Sequence, residues 1–196
     1  MRGTLICTLF LLGAVQSAAA EDGFYYGVGL GLLKSEASAP IVAGFDATAT
    51  DASLALTAGY RWPQTKNVAF GVEGNLDVHT GHLMSDVADA CTSVSPSWCE
   101  VNSTLRLRGT LGSVLANGDR LTASLGAVAV RGRLEANPGD YRRSTGSGWS
   151  VGVFWEKASS TIPVRIDLNF DKIENDNIPT YGWSLEMFGV RVSYMF

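Results

Sequence analysis

The stretch VAFGVEGNLDVH, from Val68 to His79, alternates apolar and polar side chains with the sharpest contrast in the chain. A period of two places alternate residues on opposite faces of a β-strand. The stretch therefore predicts a strand whose two faces meet different environments. The apolar face carries Val68, Phe70, Val72, Leu76 and Val78, and the polar face carries Glu73, Asn75, Asp77 and His79.

Seven further segments repeat the alternation, each near the length of a tilted strand that crosses a bilayer: 24–34, 53–62, 101–112, 121–133, 148–156, 162–171 and about 183–196. Short connections at 63–67, 114–120 and 157–161 alternate with longer ones at 35–52, 80–100, 134–147 and 172–182. This arrangement is typical of outer-membrane barrels. The sequence predicts an all-β fold, an eight-stranded antiparallel up-and-down transmembrane β-barrel with both termini on the periplasmic side.

In three of the segments the alternation makes a specific prediction about individual residues. In the fifth segment the alternation blurs at Val128 and Val130, which predicts a β-bulge. In the last segment it slips near Glu186, where the strand either leaves the membrane or bulges. In the fourth segment the pattern places Val101 on the apolar face.

Aromatic residues of the apolar face gather at one level, near the predicted periplasmic ends of the strands. Rings of this kind favour the headgroup region of a membrane, so the pattern predicts an aromatic girdle. A soluble lipocalin-like barrel, with its apolar face inside, is the alternative. The girdle residues are Phe24, Tyr26, Tyr60, Trp62, Phe70, Trp155, Tyr194 and Phe196, and Trp149, Phe170 and Trp183 fall near the opposite ends.

The polar face combines glycines with charges of both signs. In a narrow barrel these charges would project into one confined volume, where an unpaired charge is costly. We therefore predict a network of ion pairs that fills the lumen, with glycines making room for the long arginines. Its members are Glu73, Arg106, Arg108, Glu156, Arg165, Asp167 and Arg191.

The N-terminus predicts export. Arg2 precedes an apolar run at 5–15, and Ala18 and Ala20 fit the small-residue pattern of a signal peptidase site. We interpret residues 1–20 as a signal peptide and residues 21–196 as the barrel domain. The apolar run is too short for a convincing membrane anchor.

Removal of the signal peptide leaves two cysteines, Cys91 and Cys99. A lone pair of cysteines in an exported protein favours a disulfide. A zinc site is the weaker alternative, because two thiols without neighbouring histidines or further cysteines are too few ligands.

Three stretches together resemble the OmpA-like and opacity-type family of small outer-membrane barrels: GFYYGVGLG at 23–31, GWSVGV at 148–153 and GVRVSYMF at 189–196. The resemblance implies a location in the outer membrane of a Gram-negative-type bacterium. It also implies that Tyr194 and Phe196 belong to the signal that the barrel assembly machinery recognises. Roles in this family range over envelope integrity, adhesion, immune evasion, small pores and lipid enzymes, so the fold says little about activity.

The chemistry of the chain narrows the function only in part. A net charge of −4 without a basic patch gives no indication of nucleic acid as a partner. His79 and His82, near Asp77, Ser85 and Asp86, allow a lipid enzyme, but no diagnostic catalytic motif is present and loop histidines explain them as well. A cation could bind Asp171, Glu174 and Asp176, although their spacing matches no calcium loop.

We expect a monomeric, cofactor-free barrel with a structural or surface-interaction role. Its expected partners are outer-membrane lipid, lipopolysaccharide and the assembly machinery. The alternatives are a small narrow pore and a lipid-modifying enzyme.

Overall fold

The computed structural model describes residues 23–38, 46–62, 68–81, 97–137, 140–157, 163–175 and 183–196, and the predicted signal peptide and its cleavage site lie outside them. The eight strands are β1 (Gly23–Ser38), β2 (Asp46–Arg61), β3 (Val68–His79), β4 (Ser97–Val114), β5 (Arg120–Asn137), β6 (Asp140–Glu156), β7 (Val164–Asn175) and β8 (Trp183–Met195). Consecutive strands pair antiparallel, and β8 closes on β1. The predicted eight-stranded antiparallel barrel is confirmed. Within the described residues no helix is long and apolar enough to span a membrane.

The strands reach further than predicted at the end of the barrel opposite the termini, here called the distal end. β1 and β2 run in register as far as Ser38 and Asp46, and β5 and β6 pair as far as Asn137 and Asp140, with one register shift between Glu135 and Asn137. The predicted long loops at 35–52 and 134–147 are therefore mostly strand. The alternation persists there in a form that hydropathy does not reveal, because the outward residues are polar and several inward ones are small or apolar.

The β4–β5 pair has two register shifts, at Trp98/Glu100 and at Val101/Ser103, and both lie in β4 and not, as predicted, in β5. Ser103 pairs with Arg131 but Val101 pairs with Gly132, so β4 carries one extra residue between these pairs. This bulge turns Val101 into the lumen, where it is 0% exposed, and the predicted outward position is wrong. Val128 and Val130 keep the phase of β5 and also face inward.

Glu186 lies on an unbroken strand. The pairing of β8 with β1 and with β7 shows no register shift around it, which excludes the bulge. The side chain points outward and forms an ion pair with Lys172 at 3.4 Å. Glu186 therefore fits the other alternative, a strand that continues beyond the apolar band.

The outer surface is the apolar one. Phe24 is 89% exposed, and exposed leucines or valines occur on every strand from β1 to β8. This arrangement excludes the lipocalin-like alternative, whose apolar face would line the interior. At the termini end the rings of Tyr26 and Phe196 stack at 5.1 Å. Further ring contacts there join Phe24 to Tyr60, Tyr60 to Trp62 and Tyr194 to Phe196.

Candidate functional site: the filled lumen

The inward phase of the strands brings charges from seven strands, β2 to β8, into the lumen. The arginines and the carboxylates are both almost completely buried. The arginines are Arg61, Arg106, Arg108, Arg120, Arg165 and Arg191, and the carboxylates include Asp51, Glu73, Asp77, Glu156, Asp167 and Asp171. Opposite charges in such numbers can pair across the barrel, which offsets the cost of removing each from water.

Glu73 is the centre of the middle tier. Its carboxylate accepts hydrogen bonds from Arg108 Nη2 at 2.9 Å, from Arg165 Nη2 at 2.8 Å and from the Tyr25 hydroxyl at 2.9 Å. Arg108 is its direct neighbour on β4, whereas Arg165 reaches it from β7 on the other side of the lumen. The Glu73 carboxylate thus connects four strands, β1, β3, β4 and β7.

Asp167 pairs with Arg165 and Arg191 in the same tier. Arg165 Nε lies 3.0 Å from each Asp167 oxygen, and Arg191 Nη2 lies 3.2 Å from Oδ1. The guanidinium of Arg165 also stacks 3.4 Å from the ring centre of Phe154, an inward aromatic residue of β6. Such stacking is a favourable way to bury an arginine.

A second tier lies closer to the distal end. Arg106 donates to Asp171 through Nε at 3.0 Å and through Nη2 at 2.5 Å, and it also contacts Asp77. Arg191 Nη1 reaches Asp77 at 3.1 Å. Arg106 therefore bridges β4 to β7, and Arg191 bridges β8 to β3, across the lumen.

Near the termini end, three arginines lie within ion-pair distance of Glu156. Arg61 Nη2 donates to its two oxygens at 2.8 and 3.1 Å, while Arg120 and Arg165 lie 3.8 Å away. The guanidinium of Arg61 also lies 4.8 Å from the ring centre of Tyr25. Polar contacts therefore occupy the lumen at this end.

Apolar side chains fill the lumen at the distal end, a feature that sequence reasoning missed. They lie on the inward phase of β1, β4, β5, β7 and β8, toward the distal end of each strand, and the buried Asp51 is the cross-strand partner of one of them, Leu33. We call this group the apolar tier; it consists of Leu33, Val101, Val128, Val130, Ile173, Leu185 and Met187, all at most 2% exposed. The apparent loss of phase in β5 and near Glu186 was the sequence signal for it.

All seven residues named for the lumen network point inward and take part in ion pairs. Sequence reasoning gave no such role to Tyr25 or Arg120, and it placed Arg120 in a turn. Tyr25 alternates with inward glycines, which was the available signal for its position. Gly152 shows why glycines accompany the arginines: a Cβ there would lie 2.7 Å from Arg108 Nη1.

The predicted catalytic and cation candidates do not converge. His79 faces the lumen, where its Nε2 lies 2.9 Å from Thr104 Oγ1, and His82, Ser85 and Asp86 lie outside the described residues. Asp171 is buried and accepts hydrogen bonds from Arg106, while Glu174 is exposed on the outer surface, so these two carboxylates do not share a cation site. Asp176 lies outside the described residues. Among the described side chains no cluster of His, Cys, Asp and Glu is arranged to hold a metal ion.

The disulfide prediction falls outside what the structure describes. Cys91 is not described, and Cys99 is described only as a backbone position in β4. The disulfide therefore stays a prediction.

The comparisons with known proteins agree with this architecture. A family model for the outer membrane protein β-barrel domain matches residues 5–196. OprG from Pseudomonas aeruginosa superposes with a TM-score of 0.56 at 13% identity, over 90% of this chain and 97% of its own. Ail, the attachment invasion locus protein of Yersinia pestis, in complex with the heparin analogue sucrose octasulfate, gives 0.52 at 13% identity, over 90% and 100%. No curated protein matches the chain.

Proposed function

Because this chain belongs to the outer membrane protein β-barrel domain family, we propose that it serves the outer membrane as a sealed barrel with a structural or surface-interaction role. The observation that carries this proposal is the lumen. Ion pairs cross it from wall to wall in two tiers, and the apolar tier follows them toward the distal end.

The size of the barrel supports a closed state. Eight strands enclose about enough space for side chains to fill. Here the guanidinium groups of Arg106 and Arg165 occupy part of that space, each paired with two carboxylates. Apolar side chains in a constriction also exclude ions, because the ions would have to shed water there. A steady conducting path would have to cross both kinds of barrier.

The distal end is the part of the molecule available for surface interaction. Short turns face the periplasm in bacterial barrels, so the termini end is periplasmic and the distal end faces outward. The strands continue beyond the apolar band on that side, which would raise the distal connections above the lipid surface. We further propose lipopolysaccharide as a partner there, a monomeric barrel, and the assembly machinery as the partner of Tyr194 and Phe196.

Conductance across a planar bilayer tests the sealed state. We expect the purified, folded protein to produce no steady channels under conditions in which a general porin, inserted as the control, conducts. Frequent, long-lived single-channel steps from the wild-type protein would contradict the proposal and favour the narrow pore.

A lipid-modifying enzyme would need its catalytic histidine next to the lipid. Of the two histidines named for it, His79 faces the lumen and contacts Thr104, and His82 lies outside the described residues. The measurement that decides is mass spectrometry of lipid A from cells with and without the protein. Unchanged lipid A is expected, and a mass shift that appears only with the protein would favour the enzyme.

A further inference from the structure

We infer that a cavity in the lumen binds one ordered water molecule, and that this water joins His79 to the ion pairs of the second tier. The inference concerns the interior of the barrel and does not depend on the surface role proposed above. We call this space the His79 cavity; among the residues that line it are Gly31, Ser53, Asp77, His79, Gly189 and Arg191.

The His79 cavity has the size of a single water molecule. Its volume is about 10 Å³, which is close to the smallest space that accommodates a water. A sugar, a phosphate or a hydrated metal ion is too large for it. Size therefore restricts the ligand to water or to an ion of similar radius.

Gly189 gives independent evidence of the space. It lies on the inward phase of β8 as the cross-strand partner of Leu33. A Cβ at Gly189 would meet nothing closer than Leu33 Cδ1 at 3.6 Å. A Cβ at Gly31, another glycine that lines the cavity, would instead lie 2.7 Å from Ser53 Oγ. The inner side of Gly189 therefore has room for about one further atom.

His79 is the group that needs the water most. Its Nε2 lies 2.9 Å from Thr104 Oγ1, and its Nδ1 is buried with no hydrogen-bond partner among the residues that the structure describes. Nδ1 is a donor or an acceptor in every state of the ring, so a partner is required in each. A water molecule can donate or accept, and it therefore serves either tautomer.

The second tier offers the water its remaining partners. Asp77 accepts from Arg191 Nη1 at 3.1 Å and from Arg106, and a carboxylate has lone pairs for further donors. Arg191 Nη2 lies 3.2 Å from Asp167 Oδ1 in an ion pair but makes no hydrogen bond within the described part of the chain. Together with Nδ1 of His79, these groups give the water the two to four partners that are usual for a buried water.

The surroundings of the cavity favour water over empty space. Ser53 and His79 face inward from β2 and β3, whereas Ile173 and Leu185 of the apolar tier face inward from β7 and β8. The His79 cavity is lined by the first pair and not by the second. Cavities that stay empty in proteins are apolar, and polar ones of this size hold water.

Gly189→Ala tests whether the cavity is hydrated. Its methyl fits without a clash but takes the space of the water, which leaves His79 Nδ1 unsatisfied. In an empty cavity the same methyl would only add contacts. Gly109→Ala, on the outward face, is the control for the change in strand propensity, because its methyl meets nothing closer than 3.8 Å. We expect the urea midpoint of unfolding in lipid vesicles to be about 0.5–1 M lower for Gly189→Ala than for the control.

An equal or higher midpoint for Gly189→Ala than for the control would overturn the inference. His79→Phe provides the second background, because it keeps a ring and removes both nitrogens. There Gly189→Ala should no longer lower the midpoint relative to the control. An equal loss in both backgrounds would show that the space does not serve His79.

Nuclear magnetic resonance detects the water directly, in wild-type protein with protonated histidine in a deuterated background. We expect cross-relaxation between a long-lived water and the His79 ring in the wild type, and none in Gly189→Ala. A His82→Gln sample assigns the signals to one of the two histidines. Absence of the signal from the wild type, or a wild-type midpoint that follows the chloride or sodium concentration at constant ionic strength, would refute a water at this site.

Discussion

At the scale of single residues, each buried charge of the lumen depends on partners from other strands. Arg106 holds Asp171 and Asp77, and Glu73 holds Arg108 and Arg165. Removal of one member leaves the others charged in a volume with little water. The loss of such a partner costs far more than the pair itself contributes, because the remaining charge keeps its desolvation penalty.

Arg106→Ala should destabilise the barrel by about 3–5 kcal/mol, because Asp171 loses the hydrogen bonds that its buried carboxylate receives from this arginine. Glu73→Ala should act in the same direction. Lys172→Ala is the control, since its ion pairs with Glu174 and Glu186 are largely exposed and should contribute under about 1 kcal/mol. Urea unfolding in lipid vesicles measures both, and equal effects would show that the lumen pairs are no stronger than surface pairs.

Gly152→Ala tests the space around Arg108. The added methyl would lie 2.7 Å from Arg108 Nη1 and 2.9 Å from the Leu168 carbonyl oxygen, so we expect a loss of about 1–3 kcal/mol. Gly109→Ala is the matched control, because its methyl would meet nothing closer than 3.8 Å. An unfolding midpoint that moves as little for Gly152→Ala as for the control would argue against tight packing here.

At the scale of strands, alternation predicted which residues form β3 and which side of it faces the membrane. Alternation failed as a guide in the parts of β4 and β5 where inward and outward side chains do not differ in polarity. Val101, Val128 and Val130 are apolar and face inward, so a rule that sends apolar residues outward misplaces them. The bulge in β4 left no mark in the sequence, because Asn102 suits a loop, a strand edge or a bulge equally well.

The sequence predicted which charged residues line the lumen, but not which arginine pairs with which carboxylate. Their residues could be assigned to the inward phase from alternation alone. Which arginine reaches which carboxylate depends on the stagger between strands: Arg165 contacts Glu73 from four strands away, and no local pattern connects residues separated by 92 positions.

Removal of Phe196 should impair assembly in cells more than stability in vitro. The residue joins β8 to β1 through ring stacking with Tyr26 and a 2.7 Å hydrogen bond from its amide to the Tyr26 carbonyl oxygen. Phe24→Ala, which removes an exposed girdle ring elsewhere, is the control. We expect outer-membrane levels to fall for the truncated protein only, with unfolding free energies of both within about 2 kcal/mol of wild type. Normal levels of the truncated protein would refute the assembly role.

Cys91 and Cys99 should form a disulfide. The reason is the oxidising compartment that an exported chain reaches. Thiol labelling of the unreduced mature protein should detect no free cysteine. Two reactive thiols would refute the pairing.

At the scale of the whole molecule, the lumen carries two barriers in series, first ion pairs and then the apolar tier. Ions would pass only if both barriers opened. Because the middle tier around Glu73 and the Arg61–Glu156 contact would stay in place, we expect Arg106→Ser and Leu185→Ser to be silent in a planar bilayer, both as single variants and combined. Steady conductance from either single variant would show that one barrier alone seals the barrel.

The pairing of β1 with β8 closes the barrel, and the lumen network can form fully only after this step of folding. Arg191 lies on the last strand, beside Gly31 of the first, and its partners Asp77 and Asp167 are on β3 and β7. Until the two end strands meet, the interior is an open trough and these charges stay hydrated. The pairing of β8 with β1 is therefore also the step that removes water from these charges. Folding should gain much of its cooperativity in this step.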